Sequence, residues 1–113
     1  MQPYCFSKIL PYPIQPLFDI VRDVDRYCEF LPGIESAQTY DHHESGFTGK
    51  LTIGYKMISQ SYQSHVTYGM DNQTAFVHSN AIDGPFHHLI SKWDLRSLSP
   101  NSTEITLTLD FKM

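Results

Sequence analysis

Six histidines, two cysteines and several close carboxylate pairs are the residues of this 113-residue chain whose types could support chemistry. Metal binding is the first chemistry to weigh. His42-His43 and His87-His88 stand side by side, and neighbouring side chains of a strand leave on opposite faces, so neither pair can close on one ion. Zinc needs three or four converging ligands, and neither His65 nor His78 has a Cys or carboxylate at motif spacing. Cys5 and Cys28 lack the CxxC spacing and are too few for a disulfide scaffold, so both read as reduced thiols. Asp23 with Asp25, and Asp41 with Glu44, could act as paired carboxylates, yet each pair is more simply a solvated helix face or a turn. The sequence has no Gly-x-Ser-x-Gly elbow, phosphate-binding glycine loop or dinucleotide fingerprint. These residues point to a protein that is not an enzyme and uses no metal or cofactor.

The elements that would position such residues follow from periodicity. Leu17, Ile20, Val21, Val24, Cys28 and Leu31 recur at three and four, with Asp19, Arg22, Asp23, Asp25, Arg26 and Glu29 opposite, which predicts one amphipathic helix. Pro13 and Pro16 suit its first turn, and Leu31-Pro32-Gly33 ends it. "YCFSKIL" before it reads as a first strand. Beyond Gly33 the turn signals Asp41–Gly46, Gly69–Gln73, Asp83-Gly84-Pro85 and Ser99–Ser102 are spaced for an antiparallel meander. Phe47, Leu51, Ile53, Tyr55 and Met57 alternate with Thr48, Lys50, Thr52 and Lys56, and Ile105, Leu107, Leu109 and Phe111 alternate with Thr106, Thr108, Asp110 and Lys112. One sheet face is therefore buried and the other wet. Strand, helix, then about six strands predicts an α+β fold, a curved antiparallel sheet around one helix in a single domain spanning 1–113. In that frame "DGPFHHLISKW" is a corner and cavity wall: Asp83-Gly84-Pro85 bend, Phe86 and Leu89 anchor, and Trp93 packs inward with Leu89 and Leu95.

Eight Lys and Arg against twelve Asp and Glu give a net charge of −4, and the basic residues are scattered along the chain. A duplex-DNA binder needs a concentrated basic face, so DNA is not an expected partner. Seven Tyr and seven Phe are enough to line a cavity as well as fill a core. The N-terminal segment has neither signal-peptide nor transit-peptide character, and no apolar run approaches a membrane span, which makes a cytoplasmic location the expectation.

The segments "FDIVRDVDRYCEFLPGI", "KLTIGYKMISQSYQSHVT", "DGPFHHLISKWDL" and "EITLTLDFKM" resemble, in this order, signature segments of coenzyme Q-binding proteins and bacterial ribosome-association toxins. Both belong to the START-like, polyketide-cyclase-type (SRPBCC) superfamily. The resemblance runs from Ser7 onward, and its most specific elements are Asp83-Gly84-Pro85-Phe86 followed by Leu89 and Trp93, and the run from Asp23 to Pro32. It implies a helix-grip fold around an apolar tunnel whose occupant is a lipid such as a polyisoprenoid quinone, ubiquinone being the expected bound ligand. The alternative it implies is a toxin-type protein that binds a ribosomal subunit and blocks subunit joining. Cyclase-like chemistry stays open, since superfamily members called cyclases use cavity residues. Expected ligand-binding residues are Tyr55, Tyr62, Tyr68, Phe86, Leu89, Trp93, Leu107 and Leu109, with His65 a further head-group candidate. Three departures stand out: Gly33 where many relatives carry Trp, His65 where an Arg is common, and the family's long C-terminal helix, for which the chain ending at Met113 has no residues. The chain is expected to be truncated relative to the family, to form a homodimer through the uncovered sheet, and to touch the inner membrane only transiently and peripherally.

Overall fold

In a computed structural model that describes residues 4–29, 33–55, 58–83 and 88–112, the alternating runs become seven strands. These are β1 (Tyr4–Leu10), β2 (Ile34–His43), β3 (Gly46–Tyr55), β4 (Ile58–Met70), β5 (Thr74–Ala81), β6 (His88–Ser99) and β7 (Ser102–Lys112). All pairings are antiparallel, and the sheet order is β1-β7-β6-β5-β4-β3-β2. The meander from β2 to β7 is therefore joined at its far side by β1, whose residues 4–10 pair with residues 103–109.

Turn chemistry holds the hairpins. After β4 the Asp71 carboxylate accepts hydrogen bonds from the backbone N–H of Gln73 (2.9 Å) and Thr74 (2.8 Å) and from the Thr74 hydroxyl (3.0 Å). Those bonds favour the charged form and hold its pKa below the ordinary value. Gly33, just before β2, sits at φ +89°, a left-handed value that glycine adopts without a Cβ penalty. Its carbonyl accepts the Gly54 N–H at 2.8 Å, so the backbone here is suited to glycine rather than to the Trp that the family resemblance implies.

The expected single helix is two pieces. An α-helix, α1, spans Ile14–Arg22, and a 3-10 helix spans Val24–Glu29. Asp23 between them leaves the helical region (φ −83°, ψ 72°), and its N–H bonds to the Ile20 carbonyl. The apolar stripe explains the change of winding. Ile14, Leu17, Phe18 and Val21 follow the α-helical spacing, whereas Val21, Val24 and Tyr27 are three apart, the period of a 3-10 helix. Ile20, expected on the buried face, is 51% exposed because the stripe centres on Phe18 and Val21. Cys28 is also exposed, and Leu31 lies outside the described residues.

Phe18, Val21 and Val24 pack with Phe47, Val66, Ala75, Val77 and Leu95 of the sheet to form the core. The covering segment is tied down at its start by Thr103, fully buried, whose hydroxyl donates to the Tyr12 carbonyl at 2.8 Å.

Candidate functional site

Beyond this core the same sheet face opens into a cavity of about 350 Å³. Register places its floor. Leu109 of β7, Ser91 of β6, Ser79 of β5 and Val66 of β4 form one cross-strand row, while Leu107, Trp93 and Val77 form the next. Leu89, Ser64, Tyr62, Gly49 and Leu51 extend the lining, and Val24, Tyr27 and Ile34 close it from the helical side. No Lys, Arg, His, Asp or Glu is among these lining residues, so the polar groups the described walls present are hydroxyls and the Trp93 indole.

Tyr27 joins roof to floor. Its hydroxyl donates to the Val21 carbonyl, and its phenol hydrogen-bonds with the Trp93 side chain, where the indole N–H is the only possible donor on Trp. Burial pushes the Tyr27 phenol up to about 12, a rise that the Trp93 hydrogen bond opposes and the negative charge of Asp23 reinforces. Burial also raises the Tyr62 phenol. Both therefore stay protonated at neutral pH and act as hydrogen-bonding groups rather than as bases.

Of the residues singled out from sequence, the structure brings Tyr62, Leu89, Trp93, Leu107 and Leu109 together on the cavity wall. Tyr68 is not there. It shares the inner face of β4 but stands six residues from Tyr62, roughly 20 Å along the strand, and its ring packs against Phe18 (6.2 Å between centroids) and Phe47 (6.1 Å). His65 points away from the cavity for the opposite reason: it is one residue out of phase with Ser64 and Val66 and is exposed. The side chain of Tyr55, although its backbone belongs to β3, and the whole of Phe86 lie outside the described residues.

Sequence reasoning missed Tyr27, Ser64, Ser79 and Ser91. The signal for the serines was available, since they keep step with Tyr62, Val77 and Trp93 at period two, but serine does not announce a buried face. Tyr27 was hidden by the helix break, which turns it inward.

A second, polar hollow of about 400 Å³ lies beside α1, lined by Asp19, Arg22, Asp23, Asp25, Thr39, His42 and Tyr68 among others. Its charges are largely engaged: Arg22 pairs with Asp19 at 3.3 Å and lies over the Phe18 and Tyr68 rings, and the Thr39 hydroxyl donates to Asp25 at 2.8 Å. Among the described residues no three His, Cys, Asp or Glu side chains are grouped to hold a metal ion.

Residues 10–113 match the family model for polyketide cyclase / dehydrase and lipid transport proteins. The chain belongs to this family. Within it, the chain is 36% identical over 105 residues to the ribosome association toxin RatA of Pseudomonas aeruginosa, covering 93% of this chain and 71% of that protein. It is 35% identical over 108 residues to the protein of the same name from Rickettsia prowazekii, covering 95% and 73%. It is 32% identical over 101 residues to the mitochondrial coenzyme Q-binding protein COQ10 of Dictyostelium discoideum, covering 86% of this chain and 48% of the relative. Among solved structures, a START superfamily protein from Mycobacterium smegmatis superposes with a TM-score of 0.82 at 17% identity, over 97% of this chain and 76% of that one. The Zhui aromatase/cyclase from Streptomyces superposes with a TM-score of 0.83 at 15% identity, over 97% and 67%. At such identities these structures speak for the fold, and the sheet with its gripping helix is the START-like arrangement expected from the sequence.

Proposed function

We propose that this START-like domain binds a neutral apolar lipid, a polyisoprenoid quinone, in the cavity between the sheet and the 3-10 helix, and supports respiration as a carrier or chaperone rather than as a catalyst. The observation that carries this reading is the cavity itself: about 350 Å³ of space walled mostly by Val, Leu, Ile, Tyr and Trp, with no carboxylate, amine or imidazole among the described lining residues. Apolar area removed from water there contributes roughly 25 cal/mol per Å², and described walls without a charged side chain favour an uncharged occupant. The two lining phenols, held protonated by burial, supply no base near neutral pH. The relative named as a coenzyme Q-binding protein supports the choice of lipid.

The test is extraction of the protein purified from its native host, followed by mass spectrometry of the organic phase. A quinone at near-stoichiometric amount is the expected result, together with a change in Trp93 emission when a benzoquinone bearing one isoprene unit is added to emptied protein. An empty extract and unchanged emission would overturn the reading.

A second reading has its own observation. The relatives named as ribosome association toxins are matched at 36% and 35% identity over more than 70% of their lengths, against 48% of the length of the coenzyme Q-binding relative. On this reading the domain binds a ribosomal subunit and blocks subunit joining. Co-sedimentation of lipid-free protein with one separated subunit in a sucrose gradient supports it, and migration at the top of the gradient with both subunits rejects it.

A further inference from the structure

Hydroxyl pairs on the two faces of this sheet behave differently. Ser7 and Thr106 are cross-strand partners on β1 and β7, and their hydroxyls bond at 2.9 Å. Thr52 and Ser61 are partners on β3 and β4, and theirs bond at 2.9 Å as well. Ser79 and Ser91 stand just as directly opposite on β5 and β6, inside the cavity, and yet their hydroxyls bond neither to each other nor to any other group among the described residues. Ser64, one diagonal step further on β4, likewise lines the cavity with no side-chain partner among the described residues. Cross-strand and diagonal neighbours lie about 5 Å and 7–8 Å apart, so the three hydroxyls make a short polar track across an apolar floor.

We propose that Ser64, Ser79 and Ser91 form the head-group subsite of the cavity, taking the oxygen atoms of a neutral oxygenated ring while Leu89, Leu107 and Leu109 hold the first part of its hydrocarbon chain. The inference rests on the lipid-binding reading and adds the residues that hold the ring and the orientation of the ligand. These hydroxyls stay accessible to water, so a ligand that displaces that water must replace its hydrogen bonds, and serine both donates and accepts, matching ring carbonyls and ring hydroxyls alike. A site for plain hydrocarbon would be served by Ala or Val at the same three positions. A site for a fatty acid or a phospholipid head would need a cation, and none is among the described residues of the wall. Ligand pockets run from about 300 to 1,000 Å³, and a cavity near the lower bound accommodates a substituted ring and the beginning of its tail, with the remainder leading outward.

The experiment is calorimetric titration of wild type, the double variant Ser79→Ala/Ser91→Ala and the single variant Ser79→Thr with two probes. One probe is a benzoquinone carrying one isoprene unit, and the other is an alkylbenzene of matched length. Loss of two neutral hydrogen bonds should weaken quinone binding by the double variant about 5- to 100-fold, while alkylbenzene binding is unchanged or tighter, which also shows that the variant is folded with its cavity intact. Ser79→Thr, which keeps the hydroxyl, should retain quinone binding within a few-fold. Equal quinone affinity in wild type and double variant, or equal loss of both probes, overturns the proposal. Wild type that binds the alkylbenzene but not the quinone overturns it while leaving an apolar-ligand cavity standing, and wild type that binds neither removes both readings.

Discussion

The two ends of the inner sheet face obey the same alternation and have opposite fates. At one end Ala75 and Leu95 are packed under Phe18 and Val21 to a few per cent exposure, and the equally buried Val66 and Val77 mark where the core meets the cavity floor. At the other, Tyr62, Ser79, Leu89, Ser91, Leu107 and Leu109 stay partly exposed around open space. Strand period decides which face a side chain joins, and the element above it decides whether the space there is filled. Here α1 fills its end and the shorter 3-10 helix only roofs the other, so a core grades into a cavity on one continuous floor.

The largest effect expected from breaking this comparison comes at the packed end. Leu95 is 2% exposed, and Leu95→Ala should cost about 3 kcal/mol through lost burial and the void left behind. Leu109→Ala should cost under about 1 kcal/mol, because it enlarges a space that already exists. Urea unfolding of both variants checks the gap, and similar losses would mean that the cavity end is packed as tightly as the core. The roof gives a smaller effect with a definite sign. Tyr27 titrates near 10 when unfolded and about 12 when folded, so the unfolded chain loses its proton first as pH rises. The stability due to this raised pKa is complete below pH 10 and falls by about 2 kcal/mol by pH 12. Tyr27→Phe should flatten much of that slope in denaturation measured across the interval, leaving the part due to Tyr62. The smallest effect belongs to the anchor of the covering segment. Thr103→Val removes the buried hydroxyl that bonds the Tyr12 carbonyl and should lower the urea midpoint by the equivalent of about 1 kcal/mol.

Much of the fold was legible because its signals are local. "YCFSKIL" is β1 to the residue, the alternation of Phe47, Leu51 and Ile53 and of Ile105, Leu107 and Leu109 marks inner faces, and the turns around Glu44, Asp71 and Pro100 carry ordinary turn residues. The link from β3 to β4 was not seen, because "YKMI" contains no Gly, Pro, Asn or Asp, although Tyr55 pairs directly with Ile58 across it. The break at Asp23 was invisible for a related reason: charged residues on both sides continue an amphipathic pattern whether the backbone winds at 3.6 or 3.0 residues per turn. At the site, large apolar residues were found from alternation and the family resemblance, but Tyr68 was counted with them because periodicity fixes a face and not a distance along it. The serines share the period of Tyr62, Val77 and Trp93, but that they form one group depends on which strands are neighbours, which no single segment holds.

The pairing of β1 with β7 sets an order of events during synthesis. While β2 to β6 can form successive hairpins as they leave the ribosome, β1 has no partner until residues near 109 have appeared. Joining segments about a hundred residues apart carries a closure cost of about 4 kcal/mol beyond a constant, so β1 should be the last strand to settle and the slowest contact in refolding. In the interval Phe6 and Ile9 belong to an unpaired strand whose backbone groups are open to another chain. A nascent or partly unfolded molecule would thus be most exposed to mispairing at β1, at the opposite side of the sheet from the β2–β3 hairpin.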